Sequence, residues 1–309
     1  MKAGIIVPQG WTGEYAGWHP RAAWDRSVDI ARQAERLGFE SVWAFDHFHT
    51  TPDPIDEITF ESFTFLTALS QRTERVRLGH IVMSAGFRNA ALVAKMISTL
   101  DVVSGGRAEV GIGAGWKQDE WEAYGYGFPA TRERLDGLRD ALEVLRAMLG
   151  PGRATHDGEH ASVRDAINLP KGLQEPRVPI MVGGNGPERT WRLAARYADE
   201  LNIDAMFPED LRNAMPTIRA RCEEIGRDPA SLRVSVHVWW EHASSPGAAR
   251  IERLAAYREL GVSRIQWLAR QSVDDADALD SFAADCRAAG LELTNEKTEH
   301  ESELAPATA

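Results

Sequence analysis

Short apolar segments and amphipathic helical patterns alternate along most of this chain, and this alternation restricts its fold more than any other feature. The predicted strands are Ala3–Val7, Ser41–Phe45, Val76–Met83, Ala108–Ile112, Ile180–Val182, Glu200–Ile203, Arg233–Trp239 and Arg264–Trp267. A helical pattern follows each strand, as in Arg132–Leu149, where leucines recur at three- and four-residue spacing. Eight such pairs predict parallel strands joined by right-handed crossovers and closed into a (β/α)8 TIM barrel.

An open, doubly wound sheet is the alternative fold for alternating strands and helices. Such a sheet normally carries a G-x-G-x-x-G turn after its first strand. Here the first strand runs into Pro8-Gln9-Gly10-Trp11 instead. A nicotinamide-binding domain is therefore disfavoured.

The alternation is interrupted once, at about residues 150–179, between the fourth helix and the fifth strand. This stretch contains Pro151, Pro170, Pro176 and Pro179 and is predicted to be an irregular insertion in a single barrel domain covering residues 1–294. A connection of this length is typical of a binding loop or lid, and equally of a surface excursion. Residues 295–309 are rich in Glu and Ala and are predicted to be a disordered tail.

Composition excludes several classes of function. The chain has 35 basic and 46 acidic residues and a net charge of −11, which disfavours binding to nucleic acid or to an anionic membrane surface. No apolar run is long enough to span a bilayer, and the first one is too short for a signal peptide. The cysteines, Cys222 and Cys286, lie in helical patterns without metal-ligand spacing. A reducing, cytoplasmic location without disulfides is expected.

Groups able to do chemistry follow the second predicted strand directly. Asp46, His47 and His49 come just after its apolar residues, at the strand end where parallel α/β folds bind ligands. An imidazole exchanges protons near neutral pH, and Asp46 or another carboxylate could orient His47. His47 and His49 also fit the His-x-His spacing of metal sites, but the later strand ends offer mainly glycine and tryptophan as further ligands. The sequence therefore predicts a chemical site at this strand end without a metal. The alternative is that Asp46 caps the following segment and that the histidines are surface loop residues.

A glycine-rich turn follows the fifth strand. The segment Gly183-Gly184-Asn185-Gly186 leads into a helix predicted to begin at Pro187, so its free amide groups are expected at the barrel mouth. Arg189 and Thr190 could add hydrogen bonds to a phosphate. The turn is interpreted as a phosphate cradle, with a plain tight turn as the alternative.

The other predicted strand ends are rich in tryptophan. Candidates for a substrate pocket are Trp11, His49, Trp116 and Trp240. Indole rings offer flat stacking surfaces, and glycines allow close backbone approach. Together these residues favour a flat aromatic ligand with an anionic tail.

Several motifs carry a resemblance to a known family. They are Trp43-Ala-Phe-Asp46-His47-Phe48-His49, Val76-Arg-Leu-Gly79, Asp101-Val-Val-Ser-Gly-Gly-Arg107, Gly111-Ile-Gly-Ala-Gly-Trp116 with Glu120 and Tyr124-Gly125, and Ile180-Met-Val-Gly-Gly184. In this order they resemble the bacterial-luciferase-like flavin superfamily, and more closely its actinobacterial branch, which uses the deazaflavin coenzyme F420. The similarity runs from about Met1 to Asp204 and continues more weakly to Ala289.

The resemblance implies a redox barrel with a flavin or deazaflavin ring at the strand ends. Asp46 would lie at the pyrimidine side of the ring, and His47 at the hydride-transfer face as the proton-transfer residue. A non-proline cis peptide bond between Ile81 and Val82 would form a bulge behind the ring. Residues next to the ring or tail would be Gly113, Ala114 and Gly115, and residues at the phosphate would be Gly183, Gly184, Asn185, Gly186 and Arg189.

Two positions depart from the sugar-phosphate dehydrogenases of this family. Those enzymes have a glutamate acid where this chain has Trp116, and a tryptophan where it has Thr51. The departures disfavour a glucose-6-phosphate dehydrogenase and point to an apolar or aromatic substrate.

The sequence therefore leads to one functional hypothesis and two alternatives. The hypothesis is an F420-dependent oxidoreductase that transfers a hydride between the deazaflavin and a small organic substrate, with His47 handling the proton. The alternatives are an FMN-dependent two-component monooxygenase and a non-catalytic flavin-binding protein. Expected partners are a small-molecule substrate and an F420- or flavin-reducing enzyme that supplies the cofactor; a homodimer is left open.

Overall fold

The computed structural model describes residues 1–239 and 245–294. Its strands are β1 Lys2–Ile6, β2 Ser41–Ala44, β3 Arg77–His80, β4 Met83–Ser84, β5 Ala108–Gly113, β6 Ala154–Asp157, β7 Ser162–Ala166, β8 Ile180–Gly183, β9 Glu200–Asp204, β10 Arg233–Val238 and β11 Arg264–Leu268. Its α-helices are α1 Pro20–Leu37, α2 Ser62–Ser70, α3 Ala90–Val103, α4 Gln118–Ala123, α5 Thr131–Leu149, α6 Thr190–Tyr197, α7 Pro208–Glu223, α8 Ala248–Glu259 and α9 Ala278–Ala288.

The central sheet is a closed parallel barrel. Its strands follow one another in the order β1, β2, β3, β5, β8, β9, β10 and β11, and the pairing of β11 with β1 closes the ring. Helices pack around the outside, as α1 does with its buried stripe of Val28, Ile30 and Ala34 before Gly38 ends it at a φ of 91°. The predicted TIM barrel is confirmed.

The third predicted strand is split where the bulge was expected. The peptide bond between Ile81 and Val82 is cis, and it separates β3 from the short strand β4, which pairs with β5. Val82 lies against the glycines of two neighbouring strands, since a Cβ atom on Gly113 or Gly183 would approach its methyl groups to 2.9 or 2.8 Å. The cis peptide at this position is thus present as predicted.

Charged residues fill the amino-terminal end of the barrel interior. The Arg264 guanidinium donates to Glu109 at 2.8 Å, to Glu200 at 2.6 Å and to Glu40 at 2.9 Å. Arg77 bonds to the same Glu109. Burial alone would raise the pKa of Glu109, but the two guanidinium groups outweigh it and hold that pKa far below the ordinary value. This end is sealed by ion pairs, so the open end of the barrel lies at the carboxyl ends of the strands.

The insertion at 150–179 is more regular than predicted. It contains an antiparallel hairpin formed by β6 and β7. Side chains tie the rest of the insertion to the barrel flank: Asn168 donates to Ser98 of α3 at 2.8 Å and to the Met148 carbonyl of α5 at 3.0 Å. The prediction of an irregular segment was wrong for the hairpin, because its strands are short and largely exposed and lack a clear hydrophobic period. It holds for residues 167–179, which form no helix or strand.

Two helix boundaries near the site also differ from prediction. Helix α6 begins at Thr190 rather than at Pro187, because residues 187–189 form a turn. The short helix α4 was not predicted. No helix in the described part of the chain is long and apolar enough to cross a membrane. The predicted tail, 295–309, lies outside the described residues.

Candidate active site

A cavity of about 390 Å³ opens at the carboxyl ends of the strands. Every barrel strand except β11 contributes to its lining, in the strand itself or in the loop that follows. His47 and Gly183 both line it, so the two predicted halves of the site face one space. This is the position where TIM barrels carry their active sites.

His47 is held by a buried glutamate from α4. Its Nδ1 atom lies 2.7 Å from Oε2 of Glu120, which is fully buried. The other Glu120 oxygen accepts hydrogen bonds from the backbone amides of Phe48 at 2.6 Å and His49 at 3.3 Å. A carboxylate at Nδ1 favours the tautomer with its proton on that atom. Glu120 therefore occupies Nδ1 of the ring and leaves Nε2 without a contact to this carboxylate.

Aromatic rings surround this imidazole. Trp11 stacks on His47 with ring centroids 4.3 Å apart and planes 6° from parallel. The Trp116 ring meets the His47 ring edge-on, with ring centroids 6.0 Å apart. Trp116 is 64 % exposed, which places it where the cavity opens to solvent. Phe45 and Trp239 stack at 5.7 Å beside Trp11. The result is a set of flat apolar walls suited to planar ligands.

Asp46 lines the cavity but is committed to protein partners. It accepts hydrogen bonds from Ser62 at 2.8 Å, from the Ser84 amide at 3.1 Å and from Arg88 at 2.8 Å. Burial would raise the pKa of Asp46, but the Arg88 guanidinium outweighs it and the pKa lies below the ordinary value. Asp46 is therefore ionised, and its hydrogen bonds connect the loop after β2 to α2, β4 and Arg88.

Buried His80 lies beneath this ion pair at the end of β3. Neither of its ring nitrogens has a hydrogen-bond partner within residues 1–239 and 245–294. Burial lowers the pKa of His80 to about 4, against the weaker opposing effect of the Asp46 carboxylate. The ring is neutral near pH 7.

Arg134, in the first turns of α5, is a cation on the cavity lining. Its guanidinium donates to the carbonyl of Gly115 at 3.2 Å and to Thr131 at 3.3 Å, and lies 4.0 Å from the centre of the Phe128 ring. None of the carboxylates described forms an ion pair with it, and burial lowers its pKa. A cation beside glycine turns without a matching acid is suited to an anionic ligand.

The structure brings most of the predicted site residues to this cavity. Those on its lining are Trp11, Asp46, His47, Ile81, Val82, Gly113, Ala114, Gly115, Trp116, Gly183, Gly184 and Gly186.

Three predicted residues do not line the cavity. Asn185 exchanges hydrogen bonds with the backbone of Asp204, at 2.8 and 2.9 Å. Arg189 donates to Asp136 of α5 at 2.6 Å, and His49 contacts the Thr50 carbonyl at 3.1 Å. Trp240 lies outside the described residues.

Sequence reasoning missed three cavity features. Glu120 appeared only as part of a motif, Arg134 was not singled out, and Asp204 was not paired with His237. His237 Nε2 lies 2.9 Å from Asp204 Oδ1, which also accepts from the Trp239 indole at 3.0 Å. An arginine in the first turns of a helix, where cations are unfavourable, was the one signal available for Arg134.

Fold and site together define a class: a TIM-barrel protein whose cavity combines a His–Glu dyad, aromatic walls, glycine turns and an arginine. Residues 1–304 match the profile of the luciferase-like monooxygenase family. The chain belongs to that family.

Two relatives and one solved structure are similar to this chain. An F420-dependent glucose-6-phosphate dehydrogenase of Kineococcus radiotolerans is 32 % identical over 72 % of this chain and 65 % of the relative. A 5,10-methylenetetrahydromethanopterin reductase of Methanolobus tindarius is 29 % identical over 72 % of this chain and 64 % of the relative. These matches thus span slightly less than two thirds of either relative. An F420-dependent secondary alcohol dehydrogenase solved with an F420–acetone adduct shares the fold, with a TM-score of 0.76, 22 % identity, and coverage of 93 % of this chain and 98 % of that one.

Proposed function

We propose that this protein is an F420-dependent oxidoreductase that transfers a hydride between the deazaflavin and a small apolar or aromatic substrate, with His47 handling the proton. The relatives named as F420-dependent glucose-6-phosphate dehydrogenases motivate the choice of cofactor. The observation that carries the proposal is the presence of the His47–Glu120 dyad in one cavity with Arg134 and the glycine turns.

The residues at the cavity fit a planar ring with a phosphate tail. At three positions at the ends of β5 and β8, Gly113, Gly115 and Gly183, the cavity lining carries no side chain. Ser84 lines the same region, and its buried hydroxyl has no hydrogen-bond partner among the residues described. Arg134 supplies the uncompensated cation. Ser84 would hold a polar edge of the ring, and Arg134 the phosphate.

When bound, the deazaflavin would supply or accept a hydride, that is, two electrons and one proton. The protein must then supply or take up the second proton of a two-hydrogen exchange. Glu120 keeps His47 Nδ1 protonated and stabilises the charged imidazolium, so Nε2 can gain or release that proton. The aromatic walls exclude water from this exchange.

Titration with each cofactor tests the proposal. Purified protein should bind F420 more tightly than FMN, measured by quenching of cofactor fluorescence. A preference for FMN would support the two-component monooxygenase, and binding of either cofactor without turnover of any reducible substrate would support the flavin-binding alternative.

Variants at two arginines of α5 test the phosphate site. Arg134→Met should weaken F420 binding roughly 10- to 150-fold, the equivalent of one charge-assisted hydrogen bond. Arg132→Met is the matched control, because its side chain is 89 % exposed and its carboxylate contact is long, at 3.9 Å. Equal affinities in the two variants would remove Arg134 from the site.

His47→Ala tests the proton role separately. Turnover should fall roughly 10²- to 10⁴-fold while F420 affinity stays close to that of the wild type, because the imidazole acts on the proton and not on the phosphate. A variant with wild-type turnover would contradict the assigned role.

A further inference from the structure

One cavity wall is built by three side chains, Asp204 of β9, His237 of β10 and Trp239 directly after β10, here called the Asp204 cluster. Asp204 Oδ1 accepts from Trp239 Nε1 at 3.0 Å and lies 2.9 Å from His237 Nε2. His237 Nδ1 lies 2.9 Å from Asn202 Oδ1. Both sides of the imidazole are therefore fixed by neighbours on β9.

Backbone geometry holds this cluster in position. Ala205, directly after Asp204, has a φ of 50°, a left-handed conformation that is uncommon for a residue other than glycine. Its amide donates to the His237 carbonyl at 3.0 Å, and Asn185 bonds to the Asp204 backbone in both directions. Such conformations persist only where surrounding contacts enforce them, and they concentrate at ligand sites.

The wall continues the aromatic surface around His47. Trp239 stacks on Phe45 with planes 11° from parallel, and it lies 5.7 Å from Trp11, which stacks on His47. A ligand that lies against Trp239 and Trp11 in the cavity therefore meets flat rings. Planar conjugated molecules gain most from such contacts.

Charge divides the cavity into two sides. The Lys and Arg residues that line its described part are Lys117, which follows β5, and Arg134, in the first turns of α5. Lys117 is bound to Asp119 at 2.7 Å. The Asp204 cluster side instead carries a carboxylate whose side chain is 52 % exposed. An anionic group placed there would be repelled.

We infer that the Asp204 cluster selects the substrate, admitting flat, uncharged conjugated rings such as cyclic unsaturated ketones and rejecting phosphorylated or carboxylated ones. The inference rests on the proposed function, and it sets this chain apart from relatives named for a sugar phosphate. Trp239 provides the stacking surface, and Asp204 provides both its orientation and the repulsion of anions.

The test compares two ligands that differ only in charge: 2-cyclohexen-1-one and the same ring bearing a carboxylate. Binding is measured by saturation-transfer NMR without cofactor, and turnover by oxidation of reduced F420. The variants are Asp204→Asn, Trp239→Leu and, as control, Asp210→Asn on the exposed surface of α7. The wild type and the control should bind the neutral ring about tenfold or more better than the anion.

Asp204→Asn should reduce this discrimination, and Trp239→Leu should weaken binding of the neutral ring while F420 affinity is unchanged. Equal or tighter binding of the carboxylated ring by the wild type, or unaltered discrimination in Asp204→Asn, would overturn the inference. If the wild type failed to bind F420, the proposed function would fail, whereas the binding preference measured without cofactor would still decide the role of the Asp204 cluster.

Discussion

Replacement of Glu120 by Gln tests how the protein controls the proton at His47. The Glu120 carboxylate pairs with His47 Nδ1 through one oxygen and accepts two backbone amides through the other. A glutamine can keep the oxygen for the backbone amides, but its NH2 group must then point at Nδ1. His47 would switch to the tautomer with its proton on Nε2, and the imidazolium would lose its stabilising charge.

The expected magnitude follows from the single bond that is lost. A hydrogen bond between charged partners contributes roughly 1.5–3 kcal/mol. If this free energy is lost only in the transition state, kcat decreases roughly 10- to 150-fold. Cofactor affinity should change little, because the Glu120 oxygens contact His47 and two backbone amides and form no described contact with Arg134.

Anaerobic single-turnover measurements of deazaflavin absorbance give the rate, and fluorescence titration gives the affinity. Glu122→Gln is the matched control on the same short helix, since Glu122 is exposed and bonds only to Gln118 at 2.7 Å among the contacts described. A Glu120→Gln protein that is folded and turns over at the wild-type rate would refute the reasoning. A loss confined to cofactor affinity would refute it equally.

Three further predictions concern the barrel that supports the site. Arg264→Met leaves Glu109 and Glu200 buried without their shared cation and should lower the free energy of unfolding, measured by urea titration, by about 3–5 kcal/mol. Arg164→Met, at an exposed position, is the control and should have little effect. The folded-state pKa of His80 lies below its ordinary value, so its contribution to stability is complete above about pH 6.5 and is lost as pH falls towards 4. His80→Phe should therefore lose about 3 kcal/mol less stability than the wild type over that interval, and parallel pH profiles would contradict the assignment. Gly183→Ala places a methyl group 2.8 Å from the Val82 side chain and should lower the free energy of unfolding by about 1–3 kcal/mol, measured by thermal melting. Gly137→Ala, in α5, is the control: the nearest atom to its new methyl group is 3.9 Å away, and the change should be neutral or stabilising.

The barrel was predictable because its strands are buried on both faces. Segments such as Ala108–Gly113 and Ile180–Gly183 are apolar almost throughout, and the amphipathic helices between them repeat the same unit. The hairpin of β6 and β7 was not predictable in this way. Its strands pack against one side only, so the burial that creates a hydrophobic period is mostly missing.

The site residues at strand ends could be predicted from the sequence, whereas those whose role depends on side-chain ion pairs could not. Asp46, His47 and the glycine turns follow strands directly, and a parallel barrel brings those positions together. Arg189 seemed free in the sequence, but its charge is matched by Asp136, 53 residues earlier, and no local pattern shows this. The importance of Arg134 likewise depends on tertiary contacts, because no carboxylate among the described residues forms an ion pair with it.

A crystal structure of the protein with F420 tests the central claim most directly. We expect the deazaflavin ring between Val82 and the aromatic walls, with its carbon 5 facing His47 and its phosphate at Arg134. A ring bound elsewhere, or a phosphate held on the Asp204 side, would contradict it.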